Sequence, residues 1–194
     1  MSPPAKKKSL RADAERNRQK VLEVAQATFA AEGLAVPIDE IARRAGLGVG
    51  TLYRHFPTKE ALFQAIVLGK MASMAEVARA EAGAKDPGAA FFAFLARIVE
   101  GSSVKKDLIE ALSGAGDEFG RAMMRAKGEL RLALGTLLER AQAAGAVRRD
   151  VEAGEVLALV TATYTAMARF PPGHDEARAR MFAIVCDGLR ARAR

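Results

Sequence analysis

One cysteine, two histidines, two tyrosines and no long apolar run limit what this 194-residue chain can be. A lone thiol, Cys186, cannot close an internal disulfide or build a multi-cysteine zinc site. It falls at helical spacing with Phe182 and Leu189, the pattern of a buried core thiol. The two histidines are His55 and His174. Around them there is no Ser/His/Asp arrangement, no metal-ligand spacing and no phosphate-cradling glycine loop. Enzyme chemistry therefore has no foothold, and no metal or cofactor is expected. The longest uncharged stretch, Val156 to Ala168, is thirteen residues, short of the roughly 18 that a spanning helix needs. The lysines near the start are not followed by an apolar run of signal-peptide length. No membrane partner is expected, and the expected location is the cytoplasm. β-branched residues never alternate for long, so the two-residue period of a half-buried strand is missing as well.

What remains is helical. Half the residues are hydrophobic and 27% are charged, as in an ordinary globular protein with a substantial core. Alanine, leucine, glutamate and arginine are abundant, all of them tolerated or favoured in helices. The chain reads as all-α with about nine helices in two domains. Residues 1–12 are expected to form a disordered basic arm, 13–60 a small three-helix domain, and 61–194 a larger helical domain. The first helix is expected over about Asp13–Glu32, with Val21, Leu22, Ala25 and Phe29 as its buried stripe and Gly33 as its stop. A fourth runs from Thr58 towards Ala82 and a fifth spans Phe91–Val99. A short helix follows at Lys105–Leu112, then a long one from Asp117 to Ala144. The last two cover Glu152–Phe170 and Asp175–Arg192, on either side of a PPG turn.

The most informative stretch is IDEIARRAGLGVGTLYRHFPTK, Ile38 to Lys59. Ile41, Ala42 and Ala45 give the first short helix a small, apolar face. Gly46 suits the φ > 0 exit of that helix. Gly48 is an acceptable N-cap for the second, Leu47 and Leu52 return to the core, Pro57 stops it and Thr58 caps the next. Pro37 is expected at the first helical position of the first short helix. Val49 to Phe56 is about two turns, enough to cross a groove about 12 Å wide. Helix, tight turn and helix carrying Thr51, Tyr53, Arg54 and His55 is the layout of a helix-turn-helix presented to a DNA major groove. The same spacing also occurs in helical proteins that never touch DNA. Lys6, Lys7, Lys8, Arg11, Arg16, Arg18 and Lys20, against Asp13 and Glu15, place five of the seven net positive charges in the first twenty residues. That is a solvated tail that aids solubility, or an electrostatic footprint for phosphates.

The segment Val21 to Val67, above all IARRAG followed by GTLYRHFPTKEALF, resembles the DNA-binding domain of the TetR family of bacterial transcriptional regulators. The resemblance covers about a quarter of the chain. It implies an all-helical, homodimeric, repressor-like protein that binds an inverted-repeat operator in double-stranded DNA and a small-molecule effector in its C-terminal domain. It implies that Thr51, Tyr53 and His55 face the DNA, that Lys59 contacts a phosphate, and that Gly50 allows close backbone approach. Two positions depart from the family's usual pattern. Pro37 and Gly48 stand where hydroxyl residues often hold phosphates or cap helices. The phosphate grip is therefore expected to lean on Lys59, on Arg43, Arg44 and Arg54, and on backbone N–H groups at the helix start. Val49 is apolar where a base-reading side chain could sit, so it touches a thymine methyl or simply fills space.

The last two helices resemble, in order and position, the pair through which TetR-family proteins dimerise. Val156, Leu157, Leu159, Val160, Ala162, Tyr164, Ala166 and Met167 surround their helix, and a helix apolar on most sides is buried on most sides. The cover is a partner subunit or a single large monomeric core. Met71, Met74, Phe91, Phe94, Phe119, Met123, Met124, Tyr164 and Met167 are candidates for lining an effector pocket, and each also fits plain core. Asp107, Glu110, Asp117 and Glu118 form either a site for a cationic ligand or a solvated acidic face. The alternative to a ligand-controlled regulator is a ligand-independent one carrying the same motif.

Overall fold

The computed structural model describes residues 5–100, 111–112, 116–167, 169–171 and 173–191, with side chains from residue 13 onward. Among these residues the protein is all helical. The helices are α1 (Ala5–Glu32), α2 (Ile38–Arg44), α3 (Val49–His55), α4 (Lys59–Glu81), α5 (Pro87–Glu100), α6 (Asp117–Ala143), α7 (Ala153–Met167) and α8 (Asp175–Leu189). The short helix expected over 105–112 lies almost wholly outside the described residues. The chain forms two compact units. The first holds α1 to α3 and α4 as far as Val67; the second takes α4 from Leu68 and contains α5 to α8. The division thus falls inside a continuous helix, later than the 60/61 boundary read from the sequence. The reason is local packing: Phe63 of α4 meets Phe29 of α1 edge to face, with ring centroids 5.2 Å apart.

In the first unit, Val21, Leu22, Ala25 and Phe29 form the expected buried stripe of α1. The helix begins at Ala5, so the backbone of 5–12 is helical where an unstructured arm was expected. No glycine or proline interrupts the chain between Ala5 and Gly33, and alanine, lysine, leucine and arginine sustain a helix. Gly33 ends it at φ +81°. Pro37 stands one residue outside α2, as its N-cap with φ −63° and ψ 146°, and not at the first helical position. An extended conformation suits the fixed proline φ, and its carbonyl still accepts the first helical N–H, that of Ile41, at 3.4 Å. At the other end of α2, Gly46 turns with φ +66°. Its N–H donates to the Arg43 carbonyl at 3.1 Å, and the Leu47 N–H donates to the Ala42 carbonyl at 3.0 Å. These two bonds make a Schellman motif and satisfy carbonyls that the helix end would otherwise orphan. Ile41, Ala42, Ala45, Leu52 and Phe56 are then buried.

The second unit is a core of α5, α6 and α7 around Phe91, Phe94, Leu95, Leu134, Leu137, Leu138, Val156 and Val160. Each fully buried side chain of this kind contributes about 1.5–3 kcal/mol of transfer free energy. The α6 end repeats the α2 solution. Gly145 sits at φ +73°, its N–H donates to Gln142 O at 3.1 Å, and the Ala146 N–H donates to Ala141 O at 2.9 Å. The Gln142 amide then donates to the carbonyls of Arg148 and Val151, at 2.9 and 3.0 Å, fixing the turn into α7. α7 stops at Met167 and α8 at Leu189, each shorter than its sequence pattern suggested. After Leu189 the chain turns extended at Arg190, which bridges to Val147. By length and composition α4 is apolar enough to cross a membrane. Its buried residues Leu62, Phe63, Ile66, Val67, Met71, Ala75 and Ala78 are covered by the protein itself.

Candidate nucleic-acid interface

The turn at Gly46 and the cap at Gly48 decide which side of α3 faces outward. Gly48 takes φ −65° and ψ 140°, without a side-chain cap bond, and its carbonyl accepts the Leu52 N–H at 3.2 Å. Leu52 and Phe56 then point into the core, four residues apart. The stripe beside them is left to solvent: Val49 and Tyr53 are 41% and 40% exposed, although both are large and apolar or aromatic. Gly50 and Arg54 are exposed beside them, while Thr51 and His55 are half-buried. A Cβ placed on Gly50 would meet nothing within 4 Å, so no packing inside the protein calls for glycine there.

Tyr53 stands near Asp39 of α2. Its phenol is held above its ordinary value of 10.0, first by partial desolvation and then by the nearby Asp39 carboxylate. It is therefore presented as a neutral donor. At the start of α4, the Thr58 hydroxyl accepts the Ala61 N–H at 3.1 Å, the expected N-cap. Glu60 is acidified by its own backbone N–H and by the Thr58 hydroxyl. Lys59 opens the helix, where the macrodipole disfavours a cation. Its ammonium lies 5.8 Å from the Phe63 ring centre. An anion at this helix start would be met by the Lys59 ammonium, since the Glu60 and Ala61 N–H groups are already engaged. Two cations of α1 flank the motif: Arg18 lies 5.5 Å from the Phe56 ring centre, and the Lys20 ammonium comes within 3.7 Å of where a Cβ on Gly46 would stand.

The arginines of α2, both expected in the phosphate grip, are engaged by carboxylates of the protein itself. Arg43 donates to both Glu40 carboxylate oxygens, at 2.7 and 2.6 Å. Arg44 donates through Nε to Glu40 at 2.6 Å and pairs with both oxygens of Glu32, at the end of α1. The pairs of Glu40 with Arg43 and Arg44 are legible as i,i+3 and i,i+4 spacings. The pair between Arg44 and Glu32 spans twelve residues and has no sequence signal.

The candidate pocket residues do not share one environment. Phe91 and Phe94 are fully buried in the core of the second unit, with Met74 packed against it. Met71 and Tyr164 are buried, and Phe119, Met123 and Met167 are half-buried. Met124 is 75% exposed and lines no interior site, because it falls on the outer side of α6. Asp117 and Glu118 are exposed in the first turn of that helix, whereas Asp107 and Glu110 lie outside the described residues. The Cys186 thiol is buried as expected, and burial pushes its pKa up.

A tight-turned helix pair with an outward aromatic and basic surface is the layout of a helix-turn-helix of the kind DNA-binding regulators use. Comparison with known proteins makes the class specific. Residues 21–66 match the family profile of bacterial regulatory proteins of the tetR family, and residues 86–191 match the C-terminal domain of SbtR-like transcriptional regulators. A TetR transcription regulatory protein from Mycobacterium vanbaalenii is 43% identical, with a TM-score of 0.75 over 94% of this chain and 99% of that one. A TetR transcriptional regulator from Streptomyces coelicolor is 31% identical, with a TM-score of 0.75 over 91% and 99%. Among curated proteins, an HTH-type transcriptional regulator of Staphylococcus aureus (strain USA300) is 44% identical over 54 residues. That match spans 27% of this chain and 29% of the relative. The chain belongs to the TetR family of bacterial transcriptional regulators.

Proposed function

We propose that the protein is a homodimeric repressor that binds an inverted-repeat operator and is released from it by a small molecule. The observation that carries this reading is the outward stripe of α3, Val49, Gly50, Tyr53 and Arg54, next to Lys59 on a helix that continues into the second unit. In each subunit α3 enters a major groove, and the two copies read half-sites about 34–36 Å apart. Tyr53, Thr51 and His55 face the DNA, and Lys59 at the start of α4 holds a phosphate. α7 and α8 pair with their counterparts in the partner subunit. An effector taken up by the C-terminal unit favours a state with the wrong spacing, and it can do so only by binding that state better. The regulator works in the cytoplasm, where the chromosome is.

A second reading, a regulator with no effector, draws on the close packing of Phe91 and Phe94, which leaves those two candidate pocket residues inside the core. Thermal shift against a metabolite panel separates the two readings, since a ligand that binds the native state raises its melting temperature.

Selecting bound sequences from a random DNA pool tests the DNA-binding reading itself. The expected product is an inverted repeat. Tyr53→Ala and Lys59→Ala are each expected to weaken binding to it while the protein keeps its helical circular dichroism. Wild-type affinity in both variants would remove these residues from the interface.

A further inference from the structure

Arg44 is the one cation of the motif whose charged partners come from two helices. Its guanidinium donates to Glu40, four residues back on α2, and to both oxygens of Glu32 at the end of α1. Only a third of its side chain is exposed, against 72% for Arg43. Between α1 and α2 the chain makes a short connection over 33–37, closed by Gly33 at φ +81° and Pro37. Isolated surface ion pairs contribute little, but a bidentate arginine inside a multi-charge network is the geometry in which they do. The arrangement engages all three guanidinium nitrogens, and three of its five N–H donors, within the protein. It also ties the end of the helix that carries Arg18 and Lys20 to the motif that carries α3.

We propose that Arg44 is a positioning residue for DNA recognition: clamped by Glu32 and Glu40, it fixes α1 against the helix-turn-helix and makes no phosphate contact. This rests on the DNA-binding reading above. Its consequence for Glu32 runs against simple electrostatics. Removing a carboxylate near a DNA surface ordinarily strengthens binding, because the polyanion loses a like charge. Here its removal loosens α1 and weakens binding. Arg44 should likewise tolerate lysine poorly, since an ammonium keeps the charge but loses the planar fork that engages two carboxylates.

The test measures operator affinity against salt concentration for wild type, Lys59→Ala, Arg44→Gln, Arg44→Lys and Glu32→Gln, with circular dichroism on each. Arg44→Gln, Arg44→Lys and Glu32→Gln are expected to bind roughly three- to tenfold more weakly at each salt concentration. Their slope of log affinity against log salt stays at the wild-type value, whereas Lys59→Ala flattens it by about one for each phosphate it no longer neutralises. The isosteric Glu32→Gln carries the test if an arginine variant fails to fold. A flattened slope in Arg44→Gln, unchanged affinity in all three variants, or tighter binding by Glu32→Gln overturns the proposal alone. Absence of sequence-selective binding by the wild-type protein overturns both this proposal and the function it rests on.

Discussion

Gly46 and Gly50 lie four residues apart and answer to different demands. Gly46 is held at φ +66°, where an L side chain is strained whatever space surrounds it. Replacing it with alanine is expected to lower unfolding free energy by about 1–2 kcal/mol, the cost of the left-handed region, as measured by urea titration. Gly50 is in ordinary helical conformation with open space around it. Gly50→Ala is therefore expected to raise stability by about 0.5–1 kcal/mol through helix propensity, while a bulky residue there obstructs DNA approach. Both glycines are visible in the sequence. Only the first declares its reason there, through its place between two short apolar patterns. Nothing inside the protein calls for the second, and no local pattern records that open space.

At the scale of elements, the short helices α2 and α3 depend on their ends. Each is seven residues long, too short to stand without tertiary support. α2 has a proline N-cap, a Schellman end and the Glu40 carboxylate shared by two arginines. The hydrogen bonds from Arg43 and Arg44 hold the Glu40 carboxyl at about 2, below its ordinary 4.5. A carboxyl acidified on folding stabilises the native state above its unfolded pKa, and that contribution is lost as pH falls from about 4.5 through about 2. Glu40→Gln is expected to lose stability at neutral pH and to show a shallower fall in melting temperature across this acid window, as followed by circular dichroism. Element types were legible in the sequence because periodicity and caps are local. Element ends were less so: the sequence pattern carries the helix that starts near Glu152 on to Phe170, yet α7 ends at Met167.

The whole molecule leaves apolar groups uncovered where a second copy is proposed to sit. Leu159 on α7 and Ile184 on α8 are 42% and 71% exposed, while Val156, Val160, Tyr164, Cys186 and Leu189 on the same helices are buried. The sequence showed α7 apolar on most sides; the fold shows that its own unit covers one side only. Ile184→Glu is expected to shift the protein from dimer to monomer in light scattering after gel filtration, since a carboxylate resists desolvation at an interface core. Operator affinity should fall with it, while the helical content of each subunit is kept. A dimer that survives this change would place the interface elsewhere.

By itself the sequence determined the all-helical class, the two short helices and their turn, the caps at Gly48 and Thr58, the stripe of α1 and the burial of Cys186. Each of these is written within a turn or two of chain, where apolar spacing, glycine and proline act directly on the backbone. The tertiary structure decided which polar groups are already engaged. Arg44 shows only Glu40 as a partner, four residues back, until the fold brings Glu32 beside it. Met71 and Met124 look alike as candidate pocket residues until packing buries one and leaves the other in solvent. Side-chain partners far apart in sequence are set by how helices pack, and packing is a property of the assembled chain.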